Sequence, residues 1–418
     1  MKKQIHWAWV ILIASFFTVF TNYSIRLSYG ILMPEMIVAL KITKTQAGAI
    51  ASSFYLAYTI FSPLLGFLVD RVSARKLLTL FSFILGGGTF LMGKPVSFLQ
   101  ACLFFAMVGI GSSAMWTPVV TLVQRWFGVR RRGMVLGILS ISYTIGYGIM
   151  GLILPPLVAR FDWRTCWFIL SAPAFALVLI NGVLLRTKPQ DLNLRPWGED
   201  SSLAAENPSP AAKAGVRYGE LLKIRNLWLV GISYLFIGFT AYVINTFIVT
   251  YGTMELGFPY AQSAKLASAI AFSGIIGVLV IPTLSDSLGR KKCLILIHTS
   301  LSVSIILIIS AGNHWNALLA TVGIFGFFYA AAWPMYAAAA ADFFPPEATG
   351  SVLGFWTIFY GLGLILAPIL GGYIADLTGT FTQSFLVAAV AGALGTFFFS
   401  RIKRAGDIHE NRENESCL

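Results

Sequence analysis

The feature that most constrains this chain is a series of twelve long apolar segments separated by shorter polar stretches. Each segment holds roughly the 20 apolar residues that a helix needs to cross a bilayer. The segments occupy residues 7–33, 45–69, 77–93, 97–124, 133–158, 166–185, 226–252, 264–285, 292–311, 316–341, 349–374 and 382–400. Because backbone polar groups in lipid must be satisfied internally, the sequence predicts an all-α membrane protein with twelve transmembrane helices.

The composition argues against the ordinary soluble classes. Of the 418 residues, 57% are hydrophobic and 11% are charged, whereas soluble domains carry about a quarter charged residues. The net charge of +13 suggests a nucleic-acid partner, but no basic stripe interleaved with aromatic residues occurs on a soluble segment. Cysteine and histidine spacing shows no metal-ligand pattern, and no nucleophile–base set lies in the apolar segments. We therefore expect no nucleic acid, no metal, no cofactor and no enzymatic activity.

The longest polar stretch divides the twelve segments into six and six. We predict an N-terminal six-helix bundle, a cytoplasmic linker, a C-terminal six-helix bundle and a cytoplasmic tail, at 1–186, 187–222, 223–402 and 403–418. One set of alternate loops and termini holds 23 Lys and Arg residues, and the other set holds 6. The positive-inside rule therefore places both termini in the cytoplasm. We expect a monomer in a bacterial inner membrane.

The two halves of the chain repeat at a nearly constant separation of 216 or 217 residues. The matching pairs are Asp70 and Asp286, Gly109 and Gly326, Trp116 and Trp333, Gly133 and Gly350, Gly137 and Gly354, and Tyr143 and Tyr360. Internal repeats of helical segments are typical of secondary transporters.

A shared loop pattern follows the second and the eighth segments. Residues 66–76 read GFLVDRVSARK, and residues 286–292 read DSLGRKK. Both resemble the loop signature of the major facilitator superfamily. The resemblance implies two six-helix bundles around a central cavity that opens to alternate sides of the membrane. Residues that would act as the conformational switch are Asp70, Arg71, Arg131, Asp286 and Arg290. In the alternative interpretation, these basic loops only orient the helices.

Arg26 is the residue that indicates the class of substrate, because it lies well inside the first apolar segment. A charge at the centre of a membrane helix costs about 2.5–3.5 kcal/mol on insertion scales, so it is expected to face a cavity and a partner. No acidic residue lies in the middle of an apolar segment. The natural partner is a substrate anion, since guanidinium pairs with carboxylate or phosphate. Snorkelling to an interface, or pairing with a carbonyl, is the alternative.

The surroundings of Arg26 extend this prediction. Asn22 and Tyr29 share its helical face. The segment resembles the first helix of organic-anion transporters of the superfamily, including the anion:cation symporters and the organophosphate exchangers, where an arginine binds the anion. The residues that follow, 29–35, read YGILMPE and also resemble bacterial monocarboxylate porters. Other residues predicted to bind the substrate are Trp116, Tyr143, Tyr242, Asn245, Tyr329, Trp333 and Tyr360. A single cationic centre favours a monocarboxylate.

The coupling of transport to an energy source stays open at this level. Glu35 and Glu255 occupy equivalent outer ends and are candidates for a proton or gate site, with interfacial solvation as the alternative. A family signature in the fourth helix carries arginine where this chain has Phe105, and His298 is expected to be peripheral. We predict a secondary active transporter of a small organic anion, a monocarboxylate, working by proton symport or anion exchange. The alternatives are an efflux pump for lipophilic compounds and a non-transporting membrane sensor.

Overall fold

A computed structural model of the chain describes residues 6–199, 222–344 and 348–402, except the side chains at 66, 67, 69, 70 and 129. Within these ranges the chain is almost entirely helical, and a single isolated bridge joins Phe127 to Trp197. The α-helices are α1 (Trp7–Leu40), α2 (Lys44–Arg71), α3 (Ala74–Leu91), α4 (Phe98–Ser113), α5 (Thr117–Trp126), α6 (Arg132–Arg160), α7 (Trp163–Leu184), α8 (Arg225–Thr250), α9 (Tyr260–Leu288), α10 (Arg290–Ala311), α11 (Trp315–Phe343), α12 (Thr349–Thr378) and α13 (Phe381–Ser400).

These helices supply twelve candidate membrane spans among the described residues. The span Phe98–Trp126 contains two helices because α4 ends at Ser113 and Pro118 lies at the start of α5. A proline fits there, since the first helical residues need no intrahelical donor. The span Arg225–Glu255 continues from α8 into a π-helical turn, Tyr251–Glu255. The predicted all-α fold with twelve membrane helices is confirmed.

Local sequence signals explain where several helices begin and end. At α2, the Thr43 side chain accepts from the Gln46 backbone and the Gln46 side chain accepts from the Thr43 backbone, which satisfies two donors at the helix start. Asp162 accepts from the backbone of Thr165 at the start of α7. Gly379 follows α12 with a φ of 79°, a left-handed conformation that suits glycine.

The chain divides into two compact units. The first consists of Met1–Lys213 with Asn245–Ala271, and the second of Ala214–Ile244 with Phe272–Leu418. The boundary thus crosses α8 and α9. The predicted domain limits at 186, 222 and 402 stay a prediction, and most of the linker and all of the tail beyond residue 402 lie outside the described residues.

In the first unit the main helix pairs are α2 with α4, α3 with α7 and α1 with α6. Gly109 makes the first pair possible, because a Cβ at this position would overlap the carbonyl oxygen of Phe54. The beginning of α9 is tied to the unit by two bonds. Tyr260 donates to the carbonyl of Ile31 at 3.1 Å, and Ser268 donates to that of Gly148 at 2.6 Å.

In the second unit α10 is central, packing against both α11 and α13, while α12 packs against α13. The helices bury small residues at their contacts. At Gly363 of α12, a Cβ would come within 2.9 Å of the backbone nitrogen of Phe239 in α8. Close backbone approach is typical of membrane helices, whose association depends on packing more than on the hydrophobic effect.

Candidate functional site

Arg26 lies in the buried interior of the first unit, and its side chain is 5% exposed. It is the twentieth residue of α1, which places it about 28 Å from the start of that helix. That depth is too great for the side chain to reach the N-terminal end of α1. The structure therefore supports the predicted internal position of this cation.

Aromatic rings surround the Arg26 guanidinium. The Cζ atom lies 5.1 Å from the ring centroids of Tyr55 and Tyr58 and 5.5 Å from those of Tyr23 and Phe54. We call these four rings the aromatic cage. Each ring presents its electron-rich face to a cation, a contact worth about 0.5–2 kcal/mol depending on desolvation. The cage therefore stabilises the charge and restricts the rotamers of the side chain.

A small cavity adjoins the cage, entirely within the first unit. Its lining residues are Arg26, Leu27, Tyr29, Gly30, Ala51, Tyr55, Phe105, Asn245 and Thr246. The cavity has room for about one water molecule. The backbone of α8 comes close here, since a Cβ on Gly30 would lie 2.9 Å from the carbonyl oxygen of Asn245. The lining residues include a guanidinium, an amide and hydroxyls, and no carboxylate.

Besides Arg26, two of the predicted binding residues line this cavity, namely Tyr29 and Asn245. The Tyr29 hydroxyl donates to the carbonyl of Ala47 in α2 at 2.7 Å, and its ring stacks on Phe105 at 4.6 Å between centroids. Phe105, which takes the place of an arginine in the family signature, is thus part of the wall. The structure gives Tyr29 a definite packing role beside the cation.

A third predicted residue on the same helix is Asn22, which is 2% exposed. Among the described residues, its Oδ1 atom has no hydrogen-bond partner. A buried acceptor in that condition is costly. It therefore marks a position where a donor from a water molecule or a ligand would be favourable.

Tyr23 connects the cage to two further predicted residues. Its ring lies 5.0 Å from that of Tyr143 in α6 and 6.5 Å from that of Trp116, which immediately precedes α5. The predicted residues Arg26, Tyr143 and Trp116 are therefore joined by direct ring contacts through a residue that the prediction did not include.

The predicted aromatic residues of the second unit also form one group. Tyr242 contacts Tyr329 and Tyr360, each at 6.3 Å between centroids, and Trp333 contacts Tyr360 at 6.3 Å. Tyr234 connects them further, with its ring 4.5 Å from Tyr360 and 6.2 Å from Trp333. We call these five residues the second-unit aromatic group.

The prediction that His298 is peripheral was wrong. The His298 side chain is fully buried, and its Nε2 atom lies 2.7 Å from the Tyr336 hydroxyl and 3.0 Å from that of Ser233. The prediction failed because a histidine in an apolar segment gives no sign of which side of its helix is buried. Polar partners on other helices determine that.

The second copy of the loop signature forms an ionic cluster. Arg290 pairs with Asp286 at 2.6 Å and with Asp342, from the end of α11, at 3.4 Å. The same guanidinium donates to the Ser285 hydroxyl and to the carbonyl of Pro282. Asp342 was missed by sequence reasoning, although it stands 217 residues after Arg125 and thus at a repeat position of opposite charge.

The first copy is seen only in part. Arg71 is exposed at the end of α2, and the side chain of Asp70 lies outside the described part of the structure. Arg131 lies with its Cζ atom 5.4 Å from the ring of Trp197. Glu35 and Glu255 are both half-buried, the latter in the π-helical turn. The switch, gate and proton roles of these residues stay predictions.

The twelve spans among the described residues, each long and apolar enough to cross a membrane, define a polytopic integral membrane protein. The family model described as Major Facilitator Superfamily matches residues 11–309 and 283–416. The chain belongs to this superfamily, as the paired loop signatures indicated.

Individual relatives agree with this membership. The chain is 26% identical to the hexuronate transporter of Bacillus subtilis, over 93% of this chain and 94% of that protein. It is 22% identical to the probable sulfoacetate transporter SauU of Cupriavidus necator, over 96% and 95%. It is 25% identical to monocarboxylate transporter 13 of Rattus norvegicus, over 95% and 90%.

Solved structures show the same fold. The crystal structure of the nucleoside transporter NupG matches with a TM-score of 0.75 at 18% identity, over 96% of this chain and 100% of that one. At this identity the likeness concerns the fold alone.

Proposed function

We propose that this protein is a secondary active transporter of a small organic anion and that Arg26 binds the anion. The observation that carries the proposal is the buried guanidinium held in the aromatic cage beside a cavity. Rings over a guanidinium fix its plane, and fixed N–H donors suit a planar carboxylate. A preorganised cation loses little freedom when the anion binds, which favours affinity.

The cavity is too small for an organic anion in this structure, so the proposed site must open before substrate enters. That requirement agrees with a transporter that exposes its site alternately to each side of the membrane. The polar lining, Asn245 and Thr246, supplies donors and acceptors for hydroxyl or oxo groups of the substrate. We assign a contact with the carbon body to Trp116 and Tyr143 of the first unit. A substrate contact of the residues Tyr242, Tyr329, Trp333 and Tyr360 stays a prediction from the sequence.

The chemical class follows from the single cation among the lining residues. One guanidinium neutralises one carboxylate, so we propose a monocarboxylate as the preferred substrate. The names of the relatives span monoanionic and dianionic substrates, namely a hexuronate, a sulfoacetate and a monocarboxylate. They support an organic anion and leave the number of its charges to experiment.

We further propose an inner-membrane location with both termini in the cytoplasm. The support is the excess of Lys and Arg, 23 against 6, in the loops and termini on one side. Accumulation against a gradient by proton symport, or exchange of one anion for another, would each fit a site with one fixed positive charge.

A thermal-shift screen on the purified protein tests the substrate class. The probes are D-glucuronate, L-lactate, D-glucarate, sulfoacetate, glucose 6-phosphate and a lipophilic cation. We expect monocarboxylates to raise the melting temperature most. A shift with the lipophilic cation alone would favour an efflux pump. Binding of an anion without uptake into vesicles would favour a sensor.

Substitution of Arg26 tests the site. We expect Arg26→Ala to abolish binding and uptake of the best anion of the screen, because it removes the charge. We expect Arg26→Lys to restore little, since a compact ammonium lacks the planar fork of donors. Both variants should insert in the membrane at wild-type yield. Uptake by the alanine variant at the wild-type rate would refute the assignment.

A further inference from the structure

Three side chains from three helices form a buried polar triangle in the second unit. They are Ser233 of α8, His298 of α10 and Tyr336 of α11, and none is measurably exposed. The His298 Nε2 atom, the Tyr336 hydroxyl and the Ser233 hydroxyl lie 2.7 to 3.1 Å from one another. His298 is the ninth residue of α10, about 12 Å from its start, so the triangle lies in the middle of the span.

The three contacts inside the triangle outnumber the hydrogens available to form hydrogen bonds there. Ser233 donates its hydroxyl proton outside the triangle, to the carbonyl of Gly395 in α13 at 3.0 Å. Its oxygen therefore acts only as an acceptor toward Tyr336 and His298. The Tyr336 hydroxyl has one proton, which can serve either the histidine or the serine. With the ring hydrogen on Nδ1, the Tyr336 proton is the only one inside the triangle, and two of the three close contacts lack a hydrogen. A hydrogen on Nε2 leaves one such contact.

The surroundings of the other ring nitrogen, Nδ1, also favour protonation. Nδ1 of His298 lies toward the backbone of Gly392 in α13 without completing a hydrogen bond of good geometry. A Cβ on Gly395 would come 2.5 Å from this nitrogen, so the glycine lets α13 approach the ring. Because Nδ1 and Nε2 both face oxygen atoms, the imidazolium, with a hydrogen on each, fits this environment in hydrogen-bonding terms better than either neutral tautomer.

The first unit contains a corresponding cluster that holds no imidazole. Thr18 of α1 donates to the Oδ1 atom of Asn181 in α7 at 3.1 Å, and Asn181 donates to Ser82 of α3 at 3.0 Å. Ser82 precedes His298 by 216 residues, the separation of Asp70 and Asp286. The repeat thus places a neutral hydroxyl where the second unit has a titratable ring. Packing alone does not require the histidine.

Direct contacts join the triangle to the second-unit aromatic group. The Tyr336 ring stacks on Tyr234 with centroids 4.0 Å apart, and Tyr234 stacks on Tyr360 at 4.5 Å. A change in the hydrogen bonds of the Tyr336 hydroxyl therefore acts on a ring that stacks on Tyr360, one of the substrate contacts predicted from the sequence.

We propose that the triangle of Ser233, His298 and Tyr336 binds the proton that is transported with the anion. In the neutral state the ring hydrogen is on Nδ1 and the Tyr336 hydroxyl donates to Nε2. The incoming proton binds to Nε2, the Tyr336 hydroxyl turns to donate to Ser233, and Nε2–H donates to the Tyr336 oxygen. On release the same proton leaves the imidazole, and Tyr336 donates to Nε2 again. No other bond is formed or broken.

The charged and titratable neighbours are few among the described residues. The His298 imidazole contacts one titratable group, Tyr336 of α11. Its contacts with α13 are the Phe399 ring and glycine backbone, and its contact with α8 is Ser233. An imidazolium among such groups lacks a counter-charge, and burying it alone is costly. An anion carried in the same transport cycle balances this charge. This step rests on the proposed function, and it makes binding of the anion and the proton mutually favourable.

The first experiment measures the protonation of His298 itself. The purified full-length protein is labelled with ¹⁵N-histidine, and His298→Gln identifies the signal among the four histidines. Spectra are recorded from about pH 5 to about pH 8, with and without D-glucuronate. We expect imidazolium to appear in this range, and at higher pH with D-glucuronate than without it. Because a bound anion favours the imidazolium, the spectra are repeated with each anion of the screen, and a neutral signal under all of these conditions would overturn the proposal.

The second experiment measures coupling in proteoliposomes. For each variant we compare D-glucuronate accumulation driven by a pH gradient with D-glucuronate self-exchange. We expect the ratio of the two to fall about tenfold in His298→Gln and clearly in Tyr336→Phe. The matched control Ser82→Ala, in the neutral cluster, should keep the wild-type ratio. An unchanged ratio in both His298→Gln and Tyr336→Phe would overturn the proposal.

The two experiments separate the possible failures. If the wild type neither binds nor transports any anion of the screen, the proposed function fails, and the titration of His298 still decides whether the triangle takes up a proton. If anions are transported and His298 never becomes protonated, the transporter stands and the proton site is wrong.

Discussion

At the scale of single residues, the aromatic cage explains how a membrane helix tolerates Arg26. A buried cation in a low-dielectric interior is unstable unless other groups replace its hydration. Four ring faces within 5.5 Å supply part of that replacement. They do so without neutralising the charge, so the guanidinium keeps its attraction for an anion. The cage is therefore suited to a binding site as well as to stability.

A substitution in the cage tests this explanation. Tyr58→Ala removes one ring face, worth about 1 kcal/mol, and we expect it to weaken binding of the best anion of the screen about fivefold. Tyr58→Phe keeps the face and should bind nearly as the wild type does. Isothermal titration calorimetry measures both dissociation constants. Equal losses in the two variants would assign the effect to the hydroxyl instead of the ring.

The sequence predicted the buried position of Arg26 and its neighbours on the same helix, but not its neighbours on α2. Asn22 and Tyr29 were accessible because they share a helical face with Arg26. The cage residues Phe54, Tyr55 and Tyr58 lie on α2, and which of its faces meets α1 depends on tertiary packing. An apolar segment rich in aromatic residues gives little indication of that choice, since tyrosine serves equally at interfaces and in packing.

At the scale of helices, the prediction of twelve spans succeeded because length and apolar content alone determine them. The break between α4 and α5 did not follow from the same reasoning, although Pro118 marks it. The ionic partner Asp342 was missed because it ends a different helix from the loop signature. Contacts between helix ends distant in sequence require the fold.

Glycine positions test the packing of helices. We expect Gly109→Ala to lower the melting temperature of the purified protein, because its Cβ would overlap the Phe54 carbonyl oxygen, and overpacking costs about 1–3 kcal/mol. The matched control is Gly137→Ala in α6, where nothing lies within 4 Å of an added Cβ. That variant should melt at or above the wild-type temperature. A larger loss at Gly137 than at Gly109 would contradict the packing described for α2 and α4.

The loop signatures are tested through the rate of conformational change. Asp286→Asn removes the charge that pairs with Arg290, and Asp70→Asn makes the same change at the repeat position. We expect both variants to transport more slowly while equilibrium binding of the anion changes little. Stopped-flow uptake and calorimetry measure the two quantities. Asp162→Asn serves as the control, because asparagine also caps a helix and this residue lies outside the signatures.

At the scale of the whole molecule, the two halves of the sequence repeat, but the two compact units carry different chemistry. The first unit carries a permanent cation, Arg26, and a neutral polar cluster around Asn181. The second carries a neutral aromatic group and a titratable triangle around His298. Such a division suits a transporter that binds an anion and a coupling proton at different groups and couples the two binding steps.

The number of charges on the substrate distinguishes the groups of organic-anion transporters that the sequence resembles, since some of them carry monoanions and others dianions. Arg26 offers one positive charge, so the second charge of a dianion would be desolvated without a partner, and burial of an unpaired charge is strongly unfavourable. We therefore expect D-galacturonate to compete with D-glucuronate uptake at concentrations about tenfold lower than D-glucarate does. The measurement uses proteoliposomes with and without an inward proton gradient. Stronger competition by D-glucarate than by D-galacturonate at every pH would show that the site holds a second cation.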